Sequence, residues 1–192
     1  MTSQFTDDAE LMSDYLSGNE SALDDIIKKN IPLVYSAVYF MVGNPHDAED
    51  VVQETFLKLW KHAKKYRKGE SFKAWLLTIA RNTARDFLRK KKALVFSDFE
   101  NDDGDNFLTD TLADKEPLAD EIFGRQENKK MLEDVLAKLP FAQREVIIMR
   151  YSSNLTFEEI GKIVGRPLDT VKSQHRRALL QIKKYLAPNY EV

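Results

Sequence analysis

The 192 residues, 43% hydrophobic and 31% charged, can bury one medium core or two small ones, and their formal net charge is only -2. The absence of cysteine excludes disulfides and thiolate metal sites, and the scattered His46, His62 and His175 offer no zinc site. The acidic N-terminus "MTSQFTDDAELMSDYL" lacks the basic stretch and apolar core of a secretion signal, and no apolar run reaches the ~20 residues that span a bilayer; neither export nor membrane insertion is expected, and the cytoplasm is the expected compartment.

The near-zero net charge hides segregated signs. Residues 57–92 hold thirteen Lys/Arg against Glu70 and Asp86, whereas residues 97–121 hold ten Asp/Glu against Lys115. A basic block of this kind is the electrostatic footprint of a polyanion partner. Helical periodicity dominates the chain, and glycine and proline punctuate it at Gly43-Asn44-Pro45, Gly69, Pro117, Pro140, Gly165 and Pro167. The expected fold is all-α, with two helical domains, residues 1–93 and 122–192, joined by an acidic flexible linker over residues 94–121.

In chain order, the first informative element is "NPHDAEDVVQETFLKLWKHA", which predicts a helix from about Asp47. Its inward arc collects Ala48, Val51, Val52, Thr55, Phe56, Leu59 and Ala63. Its outward arc carries Asp50, Gln53, Glu54, Leu57 and Lys61, with Trp60 at the margin. Leucine and tryptophan ringed by acids and an amide suit a partner-docking surface.

The next helix, residues 71–92, buries Phe72, Leu76, Ile79, Ala80, Thr83 and Phe87. Trp75, Thr78, Arg81, Asn82, Arg85 and Arg89 run along another side. Cations, an aromatic ring and an amide on one stripe suit single-stranded nucleic acid: charge tracks the backbone, a ring stacks on a base, and an amide bonds a splayed base edge. Trp75 fits a core position equally well. Opening duplex steps costs about 1.4 kcal/mol each, against about 1–3 kcal/mol returned per stacked base. A surface this small traps a few unpaired bases but needs a larger machine to melt a site.

The acidic segment superficially matches a calcium loop around Gly104, but Phe99 would fall at the first ligand position and supplies no side-chain oxygen. A solvated tether is the better reading. Beyond it, "LAKLPFAQREVIIMRYSSNLT" predicts a helix pair, with Pro140 opening the second helix and Val146, Ile147 and Met149 among its apolar residues.

"TFEEIGKIVGRPLDTVKSQHRRALLQI" then gives a capping box, Thr156 with Glu159, an apolar face of Ile160, Ile163 and Val164, and a stop at Gly165. Pro167 and Leu168 make a turn, after which Asp169 or Thr170 is placed to cap a second helix. Val171, His175, Ala178 and Ile182 share its inward face, so His175 is expected to pack rather than touch a ligand. At 100° per residue, Ser173, Arg176, Arg177 and Lys184 point the other way, with Lys172 on the flank. This is a helix-turn-helix whose second helix can enter a major groove.

Taken together, these segments resemble the sigma-70 family of bacterial RNA polymerase initiation factors, in its small extracytoplasmic-function (ECF) branch. "DAEDVVQETFLKLW" resembles the part of region 2 that docks on the clamp helices of the polymerase largest subunit. "FKAWLLTIARNTARDFLRKKK" resembles the part that melts and reads the minus-ten element, and the segment from "LPFAQREV" to "HRRAL" resembles region 4, which reads the minus-thirty-five element. The resemblance implies polymerase docking by Asp50, Gln53, Glu54, Leu57 and Trp60. It implies capture of unpaired minus-ten bases by Trp75, Arg81, Asn82, Arg85 and Arg89, and minus-thirty-five contacts by Thr170, Lys172, Ser173, Arg176 and Arg177. It also implies promoter DNA and an anti-sigma factor as partners, and no cofactor or metal.

"DTVKSQ" departs from the family's common "GTVKSR", placing Asp169 and Gln174 where phosphate gripping and sequence preference would be altered. A stand-alone helix-turn-helix regulator is the alternative reading of the C-terminal element. An enzyme is not expected, because the acids lie in the tether or on the outward docking face rather than in a paired or metal-holding cluster.

Overall fold

The computed structural model describes residues 7–95 and 129–186, and every regular element within them is helical. The acidic tether and the calcium-like pattern at Gly104 lie outside the described residues.

Helix α1, Asp8–Leu16, starts where the Asp7 carboxylate accepts the Ala9 N–H. Helix α2, Ser21–Val42, stops at Gly43, whose φ of 77° and N–H to the Tyr39 carbonyl form a left-handed cap. Asn44 then accepts the N–H groups of His46 and Asp47 at 2.9 and 3.1 Å, and Pro45 takes the first position of α3, Pro45–His62. The Asn-Pro pair thus starts this helix two residues before the expected Asp47. A 3₁₀ turn, Ala63–Lys65, leads toward α4, Phe72–Val95, where Ser71 Oγ accepts the Ala74 N–H.

The C-terminal half holds α5, Lys129–Ala137; α6, Phe141–Tyr151, opened by Pro140; α7, Phe157–Val164; and α8, Leu168–Leu186. The capping box forms as expected: Thr156 Oγ1 accepts the Glu159 N–H, and the Glu159 carboxylate accepts the Thr156 N–H at 2.8 Å. Gly165 closes α7 in the left-handed region, at φ 68°. Helix α8 begins at Leu168, because the Pro167 carbonyl already accepts the Val171 N–H at 3.1 Å. Asp169 and Thr170, expected as caps, therefore lie inside the first turn. There the Asp169 carboxylate faces the positive end of the helix dipole.

The two halves pack against each other. Helix α6 is the hinge of that packing, because Val146, Ile147, Ile148 and Met149 are all fully buried. Four consecutive helical residues point in four directions, so this turn is covered on all sides. Ile147 joins Leu132, Leu136, Leu139, Ala178 and Ile182 in a core built from the C-terminal half, with Phe40 of α2 packed against its edge. Val146, Ile148 and Met149 instead join a larger core that also contains Val34, Val38, Met41, Leu76 and Ala80 from the N-terminal half. Polar contacts edge this seam: Tyr39 Oη donates to Glu133 at 2.8 Å, Lys73 Nζ to the Ser153 carbonyl at 2.5 Å, and Arg144 to the Met41 carbonyl at 2.9 Å.

Candidate nucleic-acid interface

Helix α3 divides its residues as the period predicts. Ala48, Val51, Val52, Thr55, Phe56 and Leu59 are buried, while Asp50 and Gln53 are exposed and Glu54 is half-buried. Leu57 and Trp60 are 54% and 55% exposed, among the largest apolar groups the described residues leave in solvent. Glu54 is paired with Lys58 at 2.9 Å, and Lys58 also donates to Thr83 Oγ1 at 3.1 Å, which fixes this edge of α3 against α4. The result is an apolar pair on a rigid helix, framed by carboxylates and an amide. Such a patch fits a protein partner whose own surface offers apolar groups with cations around them.

Helix α4 separates the residues of the expected single-strand stripe. Asn82, Arg85 and Arg89 are exposed, and Arg89 pairs loosely with Asp86 one turn away. Trp75 is half-buried: its ring lies 5.4 Å from Tyr66 and 5.9 Å from Phe72, in a tilted cluster that fixes the indole. Thr78 turns its hydroxyl back to the Ala74 carbonyl.

Arg81 departs from the expected open stripe. It is 7% exposed, and its Nε and Nη2 donate to the two carboxylate oxygens of Glu145 on α6 at 2.6 and 3.1 Å. Its Nη1 donates to Asn82 Oδ1 at 3.0 Å. The period of α4 places Arg81 beside Asn82, but only the packing of the C-terminal half decides that this side is covered.

Glu145 was not singled out from the sequence. Its burial was legible, since it stands on one helical face with Ile148 and Met149. Its partner, 64 residues away, was not.

Cations surround the stripe. Lys64, Lys65, Arg67 and Lys68 are exposed in the segment after α3, and Lys90, Lys91 and Lys92 are exposed toward the end of α4. Lys91 pairs with Asp47 at 2.5 Å, which ties that end of α4 to the start of α3.

The helix-turn-helix is built tightly. The Gly161 carbonyl accepts both the Gly165 cap N–H and the Arg166 N–H, the latter at 3.0 Å, and Val171 packs beneath the bend. Along α8, Val171, His175, Ala178 and Ile182 are buried. Lys172 and Ser173 are exposed, and Thr170, Arg176 and Arg177 are half-buried. His175 packs inward as expected, its Nε2 sharing a hydrogen bond of 2.9 Å with Tyr151 Oη and its ring meeting the edge of Phe157. Gln174 is also buried, at 7% exposure, so the second of the two unusual positions faces the core while Asp169 faces solvent. The Glu159 carboxyl is held below the usual carboxylate range, first by the Thr156 backbone N–H and then by its hydroxyl. The anion thereby anchors the start of α7.

Among the described residues no helix is long and apolar enough to cross a membrane, and no group of three or more His, Asp or Glu is placed to hold a metal ion.

A helix with an exposed apolar pair, a basic helix and a helix-turn-helix follow one another along this chain, which matches known sequences over most of its length. The Sigma-70 region 2 family model matches residues 26–94, and the Sigma-70, region 4 model matches residues 135–184. The ECF RNA polymerase sigma factor SigW of Bacillus subtilis is 31% identical over 171 residues, covering 88% of this chain and 91% of that protein.

The chain belongs to the ECF branch of the sigma-70 family.

A second relative of the same organism, RNA polymerase sigma factor SigV, is 33% identical over 145 residues, covering 76% of this chain and 79% of its own. Sigma factors are transcription initiation factors rather than catalysts. Among solved structures, the sigma factor RpoE of Bartonella quintana, crystallised with the anti-sigma factor NepR, aligns with a TM-score of 0.64 at 25% identity, over 85% of this chain and 96% of that one. CnrH, solved in complex with the cytosolic domain of CnrY, shares the fold with a TM-score of 0.69 at 21% identity, over 94% of this chain and 97% of its own.

Proposed function

We propose that this sigma factor is a dissociable specificity subunit that carries core RNA polymerase to selected promoters in the cytoplasm and traps the melted minus-ten strand, with no catalytic chemistry of its own. Region 2 occupies residues 1–93 and region 4 residues 122–192, joined by the acidic segment 94–121. Asp50, Gln53, Glu54, Leu57 and Trp60 dock on the polymerase clamp helices. Asn82, Arg85 and Arg89, backed by Trp75 and Arg81, take unpaired minus-ten bases. Thr170, Lys172, Ser173, Arg176 and Arg177 read or clamp the minus-thirty-five duplex. An anti-sigma protein is the expected inhibitor; the solved Bartonella quintana relative is in complex with an anti-sigma factor.

The observation that carries this reading is the exposed Leu57–Trp60 pair on α3. A repressor or activator acting alone needs only its helix-turn-helix and has no use for such a patch. Core polymerase offers the large partner that a trap for a few bases requires.

The test is co-elution of the purified chain with bacterial core RNA polymerase, wild type beside Leu57→Asp. Wild type is expected to bind, and the variant to lose affinity by ~30-fold or more, the ~2 kcal/mol of an interface hot spot. No binding by folded wild type, or equal binding by the variant, would remove the docking role.

A further inference from the structure

The face of α8 proposed to enter the major groove carries an acid as well as cations. Asp169 lies in the first turn of the helix and is exposed. At 100° per residue it falls between Lys172 and Ser173 around the axis, about 20° from Arg176, so these four side chains form one stripe. Among the described residues the Asp169 carboxylate accepts no hydrogen bond and joins no ion pair. Of the two positions that depart from the family pattern, Gln174 is 7% exposed and faces the core, so only Asp169 can meet DNA.

A bare carboxylate on a face that approaches a polyanion is unfavourable wherever it meets phosphate. Cations stand on either side of it to take that role. Lys162 and Arg166 line a shallow groove at the bend, and Lys172, Arg176 and Arg177 follow along α8. With the DNA backbone held by such cations, the first turn of a recognition helix is the part that reaches base edges. Guanine O6 and N7 and thymine O4 are acceptors there and repel a carboxylate. Adenine sets its N6 donor beside the N7 acceptor, so attraction and repulsion arrive together. Cytosine alone presents an amino group, N4, with no acceptor of its own in the groove.

We propose that Asp169 is a specificity-determining residue of region 4, accepting a hydrogen bond from a cytosine N4 amino group in the minus-thirty-five duplex. The inference rests on the promoter reading proposed above and adds a base that the cations of α8 do not select, since Lys and Arg favour the acceptors of guanine. Asp169 acts by exclusion as much as by attraction: a guanine or thymine at its position leaves the carboxylate desolvated against an acceptor, without a donor. Arg176 stands two turns further on, about 10 Å along the axis, so the two side chains address different base pairs.

Selection from duplexes randomised over the minus-thirty-five element, by the full chain bound to core polymerase, tests this. Wild type is expected to enrich cytosine at one position about five- to tenfold over guanine or thymine. Asp169→Ala, which favours the helix, should flatten that position alone and raise binding to the other sequences. Asparagine keeps the shape of aspartate and adds a donor, and its amide pairs with adenine N6 and N7. Asp169→Asn should therefore move the preference at that one position from cytosine to adenine. Arg176→Ala should leave the cytosine preference in place. Retention of that preference by Asp169→Ala, or a change in affinity uniform over all sequences, would overturn the inference and leave Asp169 a phosphate-repelling group. An enriched motif indifferent to Asp169 removes this inference alone, whereas no enrichment by wild type removes the promoter reading with it.

Discussion

Replacing Gly161 with alanine tests the geometry of the helix-turn-helix bend. Gly161 lies within α7, where alanine normally strengthens a helix by about 0.8–1.0 kcal/mol. Here the added Cβ would stand 2.9 Å from the Arg166 carbonyl oxygen, whereas ordinary contact begins near 3.4 Å. The obstacle is backbone, and it is held by the Arg166 N–H to Gly161 carbonyl bond at 3.0 Å, so the bend must move about half an ångström and weaken the bond that defines it. The second neighbour, Val171 Cγ2 at 3.8 Å, is an ordinary contact and adds a little favourable packing.

Overpacking of this size costs about 1–3 kcal/mol, which exceeds the helix gain in most of its range. The net expectation is a loss of about 1 kcal/mol, and a fall in Tm of roughly 2–4 °C for a chain of this length. Thermal unfolding followed by far-UV circular dichroism measures it directly, and minus-thirty-five duplex binding by the same variant reports whether α8 has shifted. An increase in stability by the full helix gain, with unchanged duplex binding, would refute the close-packed bend.

Three further predictions concern the candidate sites. Asn82→Ala should weaken capture of a single-stranded minus-ten oligonucleotide by about fivefold, the ~1 kcal/mol of a hydrogen bond, and leave minus-thirty-five duplex binding unchanged; equal loss of both contradicts the division between α4 and α8. Arg176→Ala should cost about 1–3 kcal/mol with specificity relaxed at one base pair if it reads a base, and a uniform loss across sequences with a shallower salt slope would make it a phosphate contact instead. For Glu159, the depressed carboxyl contributes stability that is full above its ordinary value and lost as pH falls through the lower folded value. The Tm gap between wild type and Glu159→Gln should therefore narrow as pH drops from about 6 to about 3, and a constant gap would show that the charge of the capping box is irrelevant.

Much of the local architecture was legible because one helical period determines it. The inward arc of α3 and the buried set Val171, His175, Ala178 and Ile182 of α8 follow from apolar spacing alone. The Thr156–Glu159 box and the Gly165 stop follow from residue chemistry at fixed offsets. Boundaries were less secure where two signals competed. At Asn44-Pro45 the cap lies upstream of the periodic residues, and at Pro167 the preceding carbonyl claims the first helical bond before Asp169 is reached.

The fate of Arg81 was not legible. Its neighbours on α4 mark it as an outward cation, and only the arrival of α6, carrying Glu145 among four fully buried apolar residues, covers it. Gln174 shows the same limit. Its sequence position draws notice as a departure from the family pattern, but its burial depends on how α8 rests on the rest of the C-terminal half.

In the proposed function this chain gives polymerase its promoter choice. Transcription of a randomised promoter library by core RNA polymerase, with and without the chain, tests it most directly. Start sites are expected that appear only with the chain and share a two-part upstream motif at fixed spacing. If the chain adds no start sites and instead binds paired half-sites on its own, it is no initiation factor and the helix-turn-helix acts as a stand-alone regulator.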